Sequence, residues 1–388
     1  MKVPKTVKVL LLVISFSLFS FVGIVIAQSN TDITDQKTSS VTVDVYTEGQ
    51  TADTILDAKK YLKMNENEIE ESLKQLSKKQ LIDELNFLTS TFKEEGDINA
   101  LIPFVSVLFQ RKDEFEDSDF INVIKDDVST ITMKEIMVDL YAVKNENKSN
   151  GDEKIKQLLK EKNIDKEIKA RIVANSEFSN NDINTLEVLI QEDDGILAFK
   201  SLKQLAKIDD EKAYIISSRI LSNYKYESKE KVMASLKSTA KYLKHNKDKD
   251  LENEFIKLSF EIIENNDDNV LKDAALFSVS DLMSKDAISE IIKNKSVDRE
   301  LKVFSIDQNF MTLKDILINN PTESDIEIVV EAMELMPIVD LLEDIEKVMD
   351  NIKDKNLQQR CKAAIENTKL NGHKGNEKWK YYYGIGVK

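Results

Sequence analysis

From about Ile55 to Asn371 the apolar residues recur at i, i+3, i+4 and i+7, and clusters of Asn, Asp and Ser break the pattern roughly every 10 to 17 residues. That spacing predicts short amphipathic helices joined by short turns. In one segment Ile196, Phe199, Leu202 and Leu205 line one face, with Lys200, Lys203 and Gln204 on the other. In a second, Leu271, Ala274, Ala275, Val279, Leu282 and Met283 share a face. The interruptions are Asn180-Asn181-Asp182, Asp193-Asp194-Gly195, Asp209-Asp210, Asn265-Asn266-Asp267-Asp268 and Asn319-Asn320-Pro321. Their side chains suit the unsatisfied backbone groups of helix ends. With 9 Gly and 4 Pro in 388 residues, the chain has too little turn chemistry for many short strands or for a glycine-rich nucleotide fold. The expected fold class is all-α. Single hydrophobic cores stop growing near ~250–300 residues, which favours an array of helical hairpins, with a compact multi-helix bundle as the alternative.

Stacking the starts of alternate helices brings out a repeat. The starts are Asp165-Lys-Glu-Ile168-Lys169-Ala170, Asp194-Gly-Ile196-Leu-Ala198, Asp268-Asn-Val270-Leu-Lys272-Asp-Ala274-Ala275, Asp298-Arg-Glu-Leu301-Lys302-Val303 and Asp354-Lys-Asn-Leu357-Gln-Gln-Arg360-Cys361. They recur at roughly 30 to 40 residues, the period of helical-hairpin solenoids. This pattern resembles the HEAT and armadillo superfamily, whose repeats often open with Asp, then Val or Ile, then a basic residue and Ala. The resemblance covers most of residues 160–370 and, more loosely, 66–160. Proline in this part of the chain is confined to Pro103, Pro321 and Pro337, so the superfamily's first-helix proline is mostly missing. The resemblance implies a HEAT-like solenoid over residues 54–371, with a broad face suited to protein or peptide binding.

The N-terminus reads as an export address. Lys2, Lys5 and Lys8 precede an uncharged run from Val9 to Ile26, and Val25 and Ala27 occupy the small-residue positions before a cleavage site. The run is also close to the ~20 residues that span a bilayer, so residues 1–27 fit either a signal peptide or a membrane anchor (residues 9–26). Both place the body outside the cytoplasm, secreted or tethered. Residues 28–53 are polar, rich in Ser and Thr, and read as a linker in which Val41 to Tyr46 alternates like a short strand.

Charge and missing motifs narrow the function. Fifty-five basic against 70 acidic residues give a formal charge of −15, which argues against nucleic acid as a partner and leaves room only for a local basic patch. Cys361 is the only cysteine, so no disulfide forms within the chain, and it is expected as a buried, inert thiol. His245 and His373 have no ligand partner at helical spacing and are expected on the surface, which disfavours zinc and di-iron sites. Asn246-Lys-Asp248-Lys-Asp250-Leu251 starts like a calcium loop, but Leu251 stands where Gly is required and Lys257 where the bidentate Glu belongs. No nucleophile elbow or phosphate loop is present. Glu331 and Glu334 lie one turn apart, as a general acid and base would, yet such pairs arise by chance among 70 carboxylates. No catalytic residue, metal or cofactor is assigned.

The C-terminal stretch, residues 372–388, stands apart. Lys378, Trp379, Lys380, Tyr381, Tyr382 and Tyr383 bring four of the chain's aromatic residues together among lysines. Two readings fit: a recognition tail for an acidic protein surface, glycan or membrane interface, or a strand folded back on the last hairpin as a cap. Taken together, the sequence points to an exported, non-enzymatic scaffold that binds a protein partner at the cell surface or beyond it. A membrane-anchored sensor or assembly component and an all-α carbohydrate-active enzyme are the alternatives. Membrane contact is expected only through the N-terminal segment.

Overall fold

The computed structural model describes residues 61, 64–91, 101–146 and 152–375. The chain divides into two compact units, residues 1–57 and 58–388, and all described residues belong to the second. The export segment, the linker with Val41 to Tyr46, and the aromatic stretch 378–383 lie outside the described residues.

The fold is all-α. Nineteen helices follow one another among the described residues. The first nine are α1 (Glu66–Lys74), α2 (Lys78–Thr91), α3 (Ile102–Gln110), α4 (Asp117–Lys125), α5 (Ile131–Asn145), α6 (Glu153–Gln157), α7 (Lys166–Asn175), α8 (Ile183–Gln191) and α9 (Gly195–Ile208). Then come α10 (Asp210–Ser222), α11 (Lys229–Asn246), α12 (Lys249–Asn265), α13 (Asn269–Ser280) and α14 (Lys285–Lys293). The last five are α15 (Arg299–Gln308), α16 (Phe310–Ile318), α17 (Glu323–Leu335), α18 (Leu342–Met349) and α19 (Lys355–Asn371).

Short polar side chains set the helix starts. Asp194 accepts from the N–H of Leu197, Asp268 from Leu271, and Asp354 from Asn356 and Leu357. Asp165 and Asp298 stand at the same N-cap position of α7 and α15 without a side-chain cap bond. All five aspartates of the sequence repeat therefore precede odd-numbered helices. Three further odd helices begin on hydroxyl caps instead: Thr130 before α5, Ser228 before α11 and Thr322 before α17. Serine and threonine cap nearly as well as aspartate, which hides these starts from a search for Asp.

The odd helices form an unbroken row, each packed on the next from α1 to α19, and the even helices pack against them as hairpin partners. Polar contacts tie each unit to its successor. Lys134 reaches Asp165 at 3.1 Å, Lys229 reaches Asp268 at 3.0 Å, Lys249 reaches Asp286 at 2.8 Å, and Lys285 reaches Asp325. In each case a lysine of one hairpin meets the acidic start of a later helix, where the helix dipole also favours negative charge. Burial alone raises the Asp268 carboxyl, but the Lys229 ammonium and the Leu271 N–H outweigh it and hold it below its ordinary value. Asp325 is lowered in the same way by Lys285 and Thr322.

The core runs between the helices as buried aliphatic side chains, one cluster containing Leu236, Ile262, Ala275 and Val279, another Ile306, Val329, Met333 and Ile345. Aromatic rings fill the N-terminal part, where Phe120 meets Tyr141 edge-on at 5.5 Å. Each such side chain contributes about 1.5–3 kcal/mol on burial. On α9 and α11 several of the buried residues are small: Ala198 and Ser201 on one helix, Ala234, Ser235 and Ser238 on the other.

Three expectations need correction. Gln204, assigned to the polar face, is buried, and its amide donates to the Val173 carbonyl of α7 at 2.8 Å. Met283, assigned to the apolar face of α13, lies past the helix end with φ 51° and is exposed. His373, expected on the surface, is half-buried, because the chain after α19 folds back along the α17–α18 connection. There Ile338 and His373 form a parallel bridge, His373 donates its backbone N–H to the Pro337 carbonyl, and Val339 donates to that of His373. Gly372 and Gly375 permit the close approach: a Cβ at Gly372 meets the Thr368 carbonyl at 2.3 Å, and one at Gly375 meets the Phe310 ring at 2.6 Å.

Candidate interaction surface

Within the row an odd helix contacts the odd helices before and after it and packs on even helices as well, so a limited stripe of its side chains stays exposed. Contacts between neighbours fix how these stripes align. At the start of α9, a Cβ on Gly195 meets Glu230 and Ser228 at the start of α11; near its end, Lys241 of α11 donates to the Ala206 carbonyl at 2.6 Å. The two helices are therefore parallel, with Lys241 level with Ala206 and Lys237 one turn earlier, level with Leu202 and Lys203. The next pair is parallel too, since Lys229 meets Asp268 at one end and Lys244 meets the Met283 sulfur at 3.2 Å beyond the other.

The outward stripes differ in chemistry along the row. On α5 and α7, Arg171 clasps Asp139, with Nε 2.8 Å from Oδ1, while Asn175 donates to the same carboxylate at 2.7 Å. Glu135, on the same stripe of α5, titrates above its ordinary value, mainly through burial. On α9 and α11 the stripes carry Lys200, Lys203 and Lys207, then Lys237, Lys241 and Lys244. On α13 and α15 the half-buried rings of Phe277 and Phe304 meet edge-on at 5.1 Å. On α17 and α19, Arg360 donates to both oxygens of Glu334 at 2.9 and 2.8 Å and to Glu327 at 3.2 Å, with Glu331 at 3.9 Å. The bidentate bond to Glu334 holds the guanidinium firmly charged, whereas burial and the Glu327 charge push the Glu331 carboxyl up. Glu331 and Glu334, the carboxylate pair noted in the sequence, thus belong to an ion cluster around Arg360.

A second surface lies on the even side. Between α8 and α10 an open groove of about 420 Å³ is lined by Val188, Ile215 and Ile216, with Glu187 and Lys212 paired at 3.1 Å on its wall.

The remaining sequence candidates fall elsewhere. Cys361 is fully buried in α19, and burial pushes its thiol up to about 11. His245 is exposed near the end of α11, its Nδ1 2.8 Å from the Lys241 carbonyl. Asp248 caps α12 by accepting from Asp250 and Leu251, so the calcium-like stretch is a helix start. No group of three or more His, Cys, Asp or Glu side chains among the described residues is placed to hold a metal, and no described helix is long and apolar enough to cross a membrane. The proposed partner-binding residues Lys378 to Tyr383 lie outside the described residues, but the stem that leads to them, residues 372–375, is docked at the α17–α18 connection, where Asp340 accepts from the Gly375 N–H at 2.9 Å.

The lysine stripes were not singled out from the sequence. The i, i+3, i+7 spacing on α9 and i, i+4, i+7 on α11 is readable there; the parallel register that makes them one surface is not. Comparison with known protein families, with characterised proteins and with solved structures found no match to this chain.

Proposed function

We propose that this chain is an exported, non-enzymatic binding scaffold, in which helical hairpins stack as a HEAT-like solenoid and present one continuous face to a protein partner. The observation that carries this reading is the unbroken row of odd helices. Each odd helix of that row contacts the next, and polar ties such as Lys134 to Asp165 and Lys229 to Asp268 join one unit to its successor. A hairpin of this kind cannot bury its apolar face alone, whereas a stack buries it against both neighbours and leaves outward stripes side by side as an extended surface. That surface carries charge and half-buried aromatic residues, the mixture from which protein interfaces are built. The aromatic stretch Lys378 to Tyr383 adds a second contact region beyond the docked stem.

The test is capture of the tagged mature chain from its own cell envelope and medium, alongside a chain ending at Gly375. One protein recovered in stoichiometric amount supports the scaffold, and its weakening with the shortened chain assigns the aromatic stretch to the contact. A specific turnover activity that disappears when one carboxylate pair is changed sinks the reading. The Val9 to Ile26 run supports a second version, in which the same scaffold stays tethered as a sensor or assembly component of a membrane complex. N-terminal sequencing separates the two: a chain starting at Gln28 is released, one starting at Met1 is anchored.

A further inference from the structure

The sequences of α9 and α11 together contain eight lysines and a single acid, Glu230, in a chain whose acids outnumber its bases by 70 to 55. Glu230 sits in the first turn of α11 against the start of α9. The other end of the pair is left to lysine.

The six outward lysines of this pair are set apart by lying together on two neighbouring helices. Several lysines that join one hairpin to another meet carboxylates, as Lys134, Lys229 and Lys249 do. None of Lys200, Lys203, Lys207, Lys237, Lys241 and Lys244 makes an ion pair among the described residues. Three bond neutral atoms: Lys207 the Gln204 side chain, Lys241 the Ala206 carbonyl and Lys244 the Met283 sulfur. Burial, and the like charges of Lys203 and Arg171, push the Lys200 ammonium below its ordinary value, so positive charge here is crowded and unmatched. Like charges side by side cost stability, and an opposite charge brought from outside relieves that cost.

Geometry and neighbours select the class of partner. The two lysine rows run along parallel helices whose axes lie about 8–10 Å apart. Phe199 and Met233 lie half-buried on the same stripes, so the strip offers apolar bodies between cationic tips. Acids appear on both flanks: beyond Arg171, Asp139 and Glu135 lie toward the N-terminal side, and Asp273 and Asp281 toward the C-terminal side. A long polyanion laid along the row meets acids on either side of the strip and a body of net charge −15. A short segment that combines acids with apolar residues fits within two helices. We infer that the outward face of α9 and α11 binds an acidic, amphipathic segment of a partner protein. This assignment rests on the scaffold reading and names the chemistry of its partner.

The experiment uses the full mature chain and a fluorescein-labelled 18-residue helical peptide with Glu on one face and Leu on the other, followed by fluorescence anisotropy. The expected result is saturable binding that weakens with salt and falls at least tenfold in Lys203→Glu/Lys237→Glu. The control Lys257→Glu/Lys295→Glu, which changes two exposed lysines away from the strip, retains it. All three proteins should fold, because the substituted side chains are exposed, and the strip variant should melt no lower than wild type. Absence of peptide binding overturns the inference, and so does equal binding by the strip and control variants. Tighter binding of a sulfated polysaccharide or single-stranded DNA than of the peptide overturns it as well. Capture from the cell envelope distinguishes the two levels: a stoichiometric partner retained by Lys203→Glu/Lys237→Glu leaves the scaffold standing and removes this face from it. Peptide binding without any partner in the envelope defeats the scaffold reading.

Discussion

On one face of the odd row, α9 and α11 present lysines with no carboxylate opposite them, whereas α17 and α19 gather Glu327, Glu331 and Glu334 around Arg360. The buried residues beneath differ as well. α9 and α11 bury the small residues Ala198, Ser201, Ser235 and Ser238, whereas Val330, Met333, Cys361 and Ile365 of α17 and α19 share one core cluster. The same hairpin packing thus holds two kinds of surface, one whose charge is satisfied inside the protein and one whose charge is left over. Internal pairing marks a stripe that holds its neighbours together; unmatched charge marks one available to something else.

The largest effect is expected where the charge is matched. Arg360→Leu removes the cation that pairs with three carboxylates, each only partly exposed, and should cost about 1–3 kcal/mol in urea unfolding at pH 7, less than the 3–5 kcal/mol of a fully buried pair. Arg360→Lys should fall between wild type and leucine, since an ammonium cannot grip Glu334 through two parallel bonds. A melting point unchanged by Arg360→Leu would make this stripe no more structural than the lysine strip, and the contrast between them would collapse.

Acid should act on the molecule in two opposed steps. Asp119, Asp182, Asp268 and Asp325 have folded-state values below the ordinary 3.8, chiefly through hydrogen bonds and lysine charges that overcome their burial. Their stabilisation is complete above the ordinary value and is lost as pH falls through the lower folded ones. Glu135, Glu331 and Asp273 are raised, mainly by burial, so their charged forms are penalised at neutral pH and protonation relieves that penalty first. Thermal melts should therefore show stability steady or slightly higher on moving from pH 7 to about 5, followed by a fall below about pH 4. A continuous fall from pH 7 would contradict the raised group.

Much of this fold was written in the sequence because its signals are local. The cap aspartates Asp165, Asp194, Asp268, Asp298 and Asp354 mark odd helices by a bond, or a position, within three residues of themselves. Thr130, Ser228 and Thr322 do the same work through other atoms, so a search for Asp passes over these three starts. Gln204 was misplaced because a glutamine reads as solvent-facing until a carbonyl one unit away, that of Val173, is brought within 2.8 Å. The lysine strip escaped for a related reason: Lys203 and Lys237 are 34 positions apart, and only the α9–α11 register makes them neighbours. Spacing along one helix is legible in a sequence, but alignment between helices depends on contacts made only in the folded chain, such as that of Lys241 with the Ala206 carbonyl.

The buried serines of α9 and α11 offer a smaller test. The hydroxyls of Ser201, Ser235 and Ser238 are buried with no hydrogen-bond partner, and a buried unsatisfied hydroxyl costs stability. Ser235→Ala deletes the hydroxyl and leaves the backbone contact intact, so it should raise stability by about 0.5–1 kcal/mol in urea unfolding. In α19, Cys361→Ser introduces a hydroxyl where a buried thiol packs, and should lower it. Opposite signs from the two exchanges would confirm that the buried residues of the two helix pairs differ; a loss on Ser235→Ala would mean that its hydroxyl makes a bond worth keeping.

The smallest effect is also the one most specific to the strip. Lys200 lies half-buried beside Lys203 and Arg171, and both burial and those charges disfavour its ammonium. A lysine whose folded-state pKa is lowered penalises the folded state wherever it is protonated, and the penalty disappears as pH rises toward the ordinary value of 10.5. Lys200→Met keeps the stem and removes the charge. It should leave stability at pH 7 within about 0.5 kcal/mol of wild type, on the stabilising side, and the advantage should shrink as both proteins are taken toward pH 10. If the variant is instead less stable at pH 7, Lys200 already has a favourable partner inside the protein, and the strip would be another matched stripe like that of α17 and α19.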